Sequence, residues 1–231
     1  MNNDAVKKGF AELVIIVLGV LIALFAESAW NDHQDRVEGR TYASRLSAEL
    51  KKNLVYLGDD IAWTRQACDS AESALVQLRS ADGVTDPALF LRLAISAATY
   101  PSPEYQRATY DDLIGTGNLS LIEDALLREQ TVSVYTGLFE SLSAWRPPKS
   151  TAIREAAVRT LPSEYIKRVI TECLVDSNTG MLSPALQACE TSPSSHTPDF
   201  WFDKLMARPD IEGAFSARAW QVCDFGRTMT D

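Results

Sequence analysis

Residues Gly9 to Trp30 read GFAELVIIVLGVLIALFAESAW, and the assignment of this stretch decides how the rest of the chain is read. From Leu13 to Ala26 it holds fourteen uncharged residues, mostly Leu, Ile and Val, with Glu12 just before them and Glu27 just after. Phe10 to Trp30 is 21 residues. As a helix that is about 31 Å at ~1.5 Å per residue, close to the ~30 Å hydrocarbon thickness of a bilayer. Phe10 and Trp30 stand where interfacial aromatic anchors are expected. Lys7 and Lys8 precede the segment, and Asn31, Asp32 and Asp35 follow it. This asymmetry predicts residues 1–9 as a cytoplasmic tail, 10–30 as a transmembrane helix and 31–231 as an exported helical domain. The competing reading is a cleaved signal peptide, with Ala26-Glu27-Ser28 as a loose small-x-small cleavage site. Glu12 breaks into the start of the apolar region and favours a retained anchor. A soluble core helix fits least, because globular helices are seldom apolar on every face.

The two glutamates share a helical stripe. Steps of four, three, four and four lead from Glu12 through Ile16, Gly19 and Ala23 to Glu27. This stripe carries small residues in the middle of the span, which let a second helix approach closely. Carboxyls turned toward a protein partner also avoid lipid. The expectation is a transmembrane partner face that packs on another membrane protein or on a second copy of the chain. The plainer alternative is that both acids reach water from the ends of the span.

Charge and composition narrow the rest. The chain has 231 residues, is 46% hydrophobic and carries a formal net charge of −9. That is enough apolar content for a real core, and the wrong sign for neutralising phosphates, so no nucleic-acid partner is expected. Setting aside the first 30 residues (Lys7 and Lys8 against Asp4, Glu12 and Glu27) leaves 20 basic and 28 acidic residues, a net −8. The exported part is itself acidic and should be repelled by anionic lipid. Only His33 and His196 are available for imidazole chemistry. Four cysteines allow two disulfides in three connectivities. Cys173 and Cys189 enclose a polar 15-residue loop that a disulfide would staple, which leaves Cys68 for Cys223. The alternative is four reduced core thiols.

Beyond the anchor, Trp30 to Ser80 lacks proline, and apolar positions recur at Ala43, Leu46, Leu50, Leu54, Leu57, Ile61, Thr64, Cys68, Ala71, Leu75 and Leu78. Intervals of three and four predict one long helix running on from the anchor, with a break near Gly58-Asp59-Asp60. Asp86-Pro87 opens a second helix to Thr99. Thr109 to Ile114 reads as a short helix closed by Gly115 or Gly117. Ser120 with Glu123 suggests a capping box for a longer helix reaching Trp145. A helix from Ser150 to Val175 bends at Leu161-Pro162-Ser163, and two more cover Asp199 to Ala207 and Pro209 to Phe225. Strand-like alternation is essentially absent. The fold class expected is all-α, a single N-terminal transmembrane helix continuing into a long helix that packs in a periplasmic helical bundle.

Two stretches carry a family resemblance. AELVIIVLGVLIALFAESAWNDHQDR with YASRLSAELKKNL, and TYDDLIGTGNLSLIEDALLREQTVSVY, together resemble a family of uncharacterised bacterial single-pass membrane proteins. The shared features are a Glu-led apolar helix, a Trp-Asn exit and a Tyr-x-x-Leu…Gly-x-Leu…Leu-Ile motif. The motif residues here are Tyr110, Leu113, Gly117, Leu119, Leu121, Ile122, Leu127, Arg128 and Tyr135. The chain departs from the family at Ala26-Glu27-Ser28-Ala29, where a more amide-rich stretch is usual. The resemblance covers about a third of the chain and implies a mostly helical protein of the bacterial inner membrane. It implies no activity.

Signals of chemistry are weak. Gly115-Thr116-Gly117-Asn118 lacks the preceding strand and the Lys-Ser/Thr of a phosphate loop, and reads instead as a helix C-cap. Asp32-His33 with Asp35 and Glu38 could chelate a cation, although carboxylates on a polar helix face are usually only solvated. Asp59-Asp60 and Asp111-Asp112 point to different helix faces and make poor acid/base couples. Phe200-Trp201-Phe202 reads as core, with an exposed docking edge as the alternative. No catalytic residue, cofactor or metal site is expected. The function expected is a non-enzymatic accessory or scaffolding subunit of a membrane complex. A periplasmic ligand-sensing domain is the alternative, and an enzyme with carboxylates in a helical cleft is the third reading.

Overall fold

A computed structural model describes residues 3–99, 105–144, 151–174, 189 and 191–228. The protein is all-helical, with no strand among the described residues. Its first helix, α1, spans Asn3–Arg79 without interruption. The expected break near Gly58 is absent. A helix loses roughly 1 kcal/mol at an interior glycine relative to alanine, too little to end one that neighbours support on both sides.

The chain groups into two compact units, each assembled from two stretches of sequence. The first contains residues 1–51 and 106–138. Here α1 is joined by α3 (Ala108–Thr116), a single tight turn over Asn118–Leu121, and α4 (Ala125–Ser133), which widens into a π turn over Val134–Leu138. Gly117 closes α3 in the left-handed conformation, φ 74°, a geometry that costs glycine little. Ser120 falls inside the tight turn and caps nothing. Asp124 is the N-cap of α4 instead, its Oδ1 accepting from the amides of Leu126 at 2.9 Å and Leu127 at 3.1 Å. The chain turns at Gly117 and again at Ile122, so the first free amides to cap are those past Asp124.

The second unit contains residues 52–105 and 139–231. At its centre lies α2 (Pro87–Ala98), whose nine residues Phe90 to Ala98 are all buried. Its start follows the expected pattern: Pro87 occupies the first turn and Asp86 Oδ1 accepts from Leu89 N at 2.9 Å. Around it pack α6 (Ala152–Thr160), α8 (Pro198–Met206), α9 (Ile211–Thr228) and a π turn (Val169–Leu174) that continues α7 (Ser163–Arg168). A further short helix, α5, covers Phe139–Ala144. Phe90 meets Phe202 and Phe215 edge-on, at centroid distances of 5.4 and 5.5 Å. Trp201 and Phe202 pack against this core, so most of the Phe-Trp-Phe cluster is structural. Buried Arg218 donates from Nε to Ala97 O at 2.7 Å. It thus satisfies a carbonyl at the C-terminal end of α2, where the helix dipole also favours a cation.

The buried stripe of α1 differs from the apolar series in its middle. Leu46, Thr64, Ala71 and Leu75 are buried as the periodicity predicts, but Leu54 is 67% exposed. The buried residues between Leu46 and Thr64 are Glu49, Asn53 and Asp60. These lie one register step from Leu50, Leu54 and Ile61, on a face whose neighbours offer hydroxyls and amides. Hydrogen-bonding complementarity, rather than apolarity, sets the rotation of α1 in that stretch.

Candidate functional site

Every described residue from Leu13 to Glu38 is exposed, and the apolar run of α1 is long enough to cross a membrane. Ile16, Gly19, Ala23 and Glu27 all belong to this run, and a Cβ placed on Gly19 would meet nothing within 4 Å. The side chain of Glu12 lies outside the described residues. Exposure is uniform around the helix, with Ile15, Ile22 and Phe25 as open as Ile16. What sets the stripe apart is therefore its chemistry, small and acidic against branched apolar neighbours.

Past this run, α1 enters a close-fitting clamp in the first unit. Gly39 is the first buried residue after the exposed segment, and a Cβ there would overlap the Leu121 carbonyl oxygen and lie 3.1 Å from its carbon. Only glycine lets the backbones approach this closely. A groove of about 180 Å³ opens beside the contact, floored by Ala43, Ile122 and Leu127 and edged by Arg36, Arg40 and Asp124. Farther along, Tyr42 donates to Asp112 Oδ2 at 3.1 Å. Glu49, 6% exposed, accepts from the Thr109 amide at 2.7 Å and from Tyr135 Oη at 2.5 Å. The Tyr135 ring in turn stacks on Tyr110, with centroids 4.4 Å apart and planes 4° from parallel.

These contacts give the quoted motif residues structural work. Leu113 and Ile122 are buried, Gly117 turns the chain, and Leu121 supplies the backbone that meets Gly39. Arg128 donates to the carbonyls of Ile122 at 2.5 Å and Glu123 at 3.3 Å, holding the tight turn against α4. Leu127 remains partly exposed at the groove. Gly39 and Glu49 were missed by the sequence reading. Glu49 had a signal, since Tyr42, Leu46, Glu49 and Asn53 form a series at helical spacing next to the apolar one. The Gly39 contact left no signal on α1 itself, because the partner is a backbone atom over 80 residues away.

The paired carboxylates are occupied singly. Asp60 accepts from Tyr105 Oη at 2.8 Å, and Asp111 pairs with Arg107 at 2.9 Å on the helix surface. Asp32, His33 and Asp35 are exposed, and Glu38 accepts from Asn118 Nδ2 at 3.5 Å. Among the described residues, these four are not gathered as metal ligands. The one such trio is Cys68, Glu72 and Cys223. Its two sulfurs are joined to each other, so no thiolate is left to bind a cation.

All four cysteines are paired, Cys68 with Cys223 and Cys173 with Cys189. The first bond ties α1 to α9 across 155 residues of sequence, with Cα atoms 5.0 Å apart. The second closes the loop between the π turn and Cys189, with Cα atoms 5.5 Å apart. Disulfides of this kind persist in oxidising compartments. The apolar N-terminal helix is consistent with a single-pass membrane protein, and the two disulfides are consistent with an oxidising compartment. No family model, curated protein or solved structure matches the chain.

Proposed function

We propose that the chain is a non-enzymatic accessory or scaffolding subunit, anchored in the bacterial inner membrane by residues 10–30 and presenting its helical part to the periplasm. The observation that carries this reading is the unbroken course of α1 from the apolar run into the Gly39–Glu49 clamp. A helix held rigidly at its exit offers a partner a fixed face, and pre-fixing a face lowers the ordering cost of association. Glu12, Ile16, Gly19, Ala23 and Glu27 form that face, toward another membrane protein or a second copy of this chain. Lys7 and Lys8 keep the N-terminus in the cytoplasm.

Photo-crosslinkers placed at Gly19 and Ala23 in native membranes test the reading, with Leu21, some 200° around the helix, as control. Capture of a protein from positions 19 and 23 but not 21 supports it. Capture of lipid alone from all three positions defeats it. Fusions reporting periplasmic or cytoplasmic exposure at the C-terminus check the orientation separately.

A further inference from the structure

Cys68 and Glu72 stand four residues apart on α1 and therefore share one face of that helix. Cys223 on α9 meets this face, its Cα 5.0 Å from that of Cys68 and its sulfur bonded to the Cys68 sulfur. The two sulfurs and a Glu72 carboxylate oxygen all lie within 4.8 Å of one another. All three residues belong to the second unit. Ala67, Ala219 and Val222 pack with the two cysteines. Cys223 is 7% exposed, Cys68 is half-buried and Glu72 is exposed, so the trio has an apolar back and an open carboxylate edge. Among the described residues no ion pair or hydrogen bond engages the Glu72 carboxylate.

In the disulfide neither sulfur is a thiolate, and the carboxylate beside it has nothing to ligate with. Opening the bond changes that. Two thiolates and a carboxylate gathered in one place repel one another, and a divalent cation among them removes the repulsion. Around tetrahedral zinc, with Zn–S ~2.3 Å and Zn–O ~2.0 Å, such ligand atoms stand about 3.5–3.8 Å apart. The carboxylate oxygen is already within reach of that spacing, and rotation of the cysteine side chains separates the sulfurs. Thiolate ligands select zinc over calcium or magnesium.

We propose that reduction of Cys68–Cys223 converts this joint between α1 and α9 into a zinc site, held by both thiolates and Glu72 with the fourth position left to water. A dithiol reductant gives two electrons and two protons to the S–S bond, leaving two thiols, and itself closes to a disulfide. Zinc then displaces both thiol protons to solvent, with no further electron transfer. The metal holds α1 to α9 in place of the covalent bond. The site is independent of the transmembrane face.

The test uses the full chain in detergent, reduced with a dithiol, desalted under anaerobic conditions and titrated with cobalt(II) as a spectroscopic stand-in for zinc. The reduced chain should take up one equivalent, with a thiolate-to-cobalt charge-transfer band and the intense visible bands of tetrahedral coordination. Zinc should bleach both, and the unreduced chain should show neither. Cys173→Ala/Cys189→Ala, which removes the other two thiols, should keep the bands, and Cys68→Ala/Cys223→Ala should lose them. Glu72→Gln, at an exposed position, leaves both thiolates in place. It should lower cobalt affinity by at least about tenfold, since losing a ligand costs no less than losing a group that orients one. Absence of the bands from the reduced chain or from Cys173→Ala/Cys189→Ala overturns the site. So does their persistence in Cys68→Ala/Cys223→Ala, or an unchanged affinity in Glu72→Gln.

Discussion

The two units solve the same problem with opposite chemistry. The first closes its segment of α1 with a buried carboxylate, two tyrosines and a glycine contact, and no cysteine lies within it. The second surrounds α2 with apolar side chains and carries both disulfides. Polar closure specifies one register, since a slipped helix leaves donors and acceptors unpaired. Apolar closure tolerates more variation in register and gains from covalent bonds that restrict the unfolded chain. The difference shows how one helix can be held by geometry in one stretch and by hydrophobic burial in another.

The largest expected effect sharpens the covalent side of this contrast. Breaking Cys68–Cys223 with a double Cys→Ala change frees a loop of 155 residues. The chain-entropy model assigns this about 5 kcal/mol, against about 3 kcal/mol for Cys173–Cys189, whose separation is 16. Denaturant unfolding of the two double variants should rank them in that order, and equal losses would show that loop entropy is not the main contribution. Next comes the polar side. Glu49→Ala removes the carboxylate that accepts from the Tyr135 hydroxyl and the Thr109 amide and should cost about 3 kcal/mol. Hydrogen exchange at the Thr109 amide reads it directly, and unchanged protection there would break the picture of a carboxylate clamp.

The third prediction concerns pH. Burial raises the Tyr165 phenol to about 12, so below pH ~10 both folded and unfolded states keep the proton and the contribution is intact. Between pH ~10 and ~12 only the unfolded state ionises, and about 2–3 kcal/mol should be lost as pH rises. Urea midpoints measured across that range should fall more steeply for wild type than for Tyr165→Phe. Parallel curves would place the alkaline sensitivity elsewhere. The smallest effect is Gly39→Ala, where a methyl group meets the Leu121 backbone. Overpacking of this kind costs about 2 kcal/mol. Gly58→Ala, with open space around the Cβ, is the matched control and should be neutral or slightly stabilising.

Much of the helical order was legible because it rests on local rules. Asp86-Pro87, Gly117 and the bend at Leu161-Pro162-Ser163 each act within one turn of the residues that form them. The cysteine pairing was legible too, since a short polar loop between Cys173 and Cys189 leaves one partner for Cys68. What failed was non-local. Ser120 looks like a cap until the tight turn after Gly117 moves the helix start to Ala125. Leu50 and Leu54 look like core until Tyr135 and Thr109 arrive to satisfy Glu49. Arg92 reads as one charged letter in an apolar helix, and only the packing around α2 shows how little water reaches it.

The Cys68–Cys223 bond makes the polypeptide a closed ring with two tails, one of them the apolar run of α1. Proteolytic nicking inside that ring, anywhere from residue 69 to 222, does not release the last helix from the first. The pieces stay a single covalent molecule until a reductant opens the ring. The last helix is thereby kept tethered to the apolar run of α1.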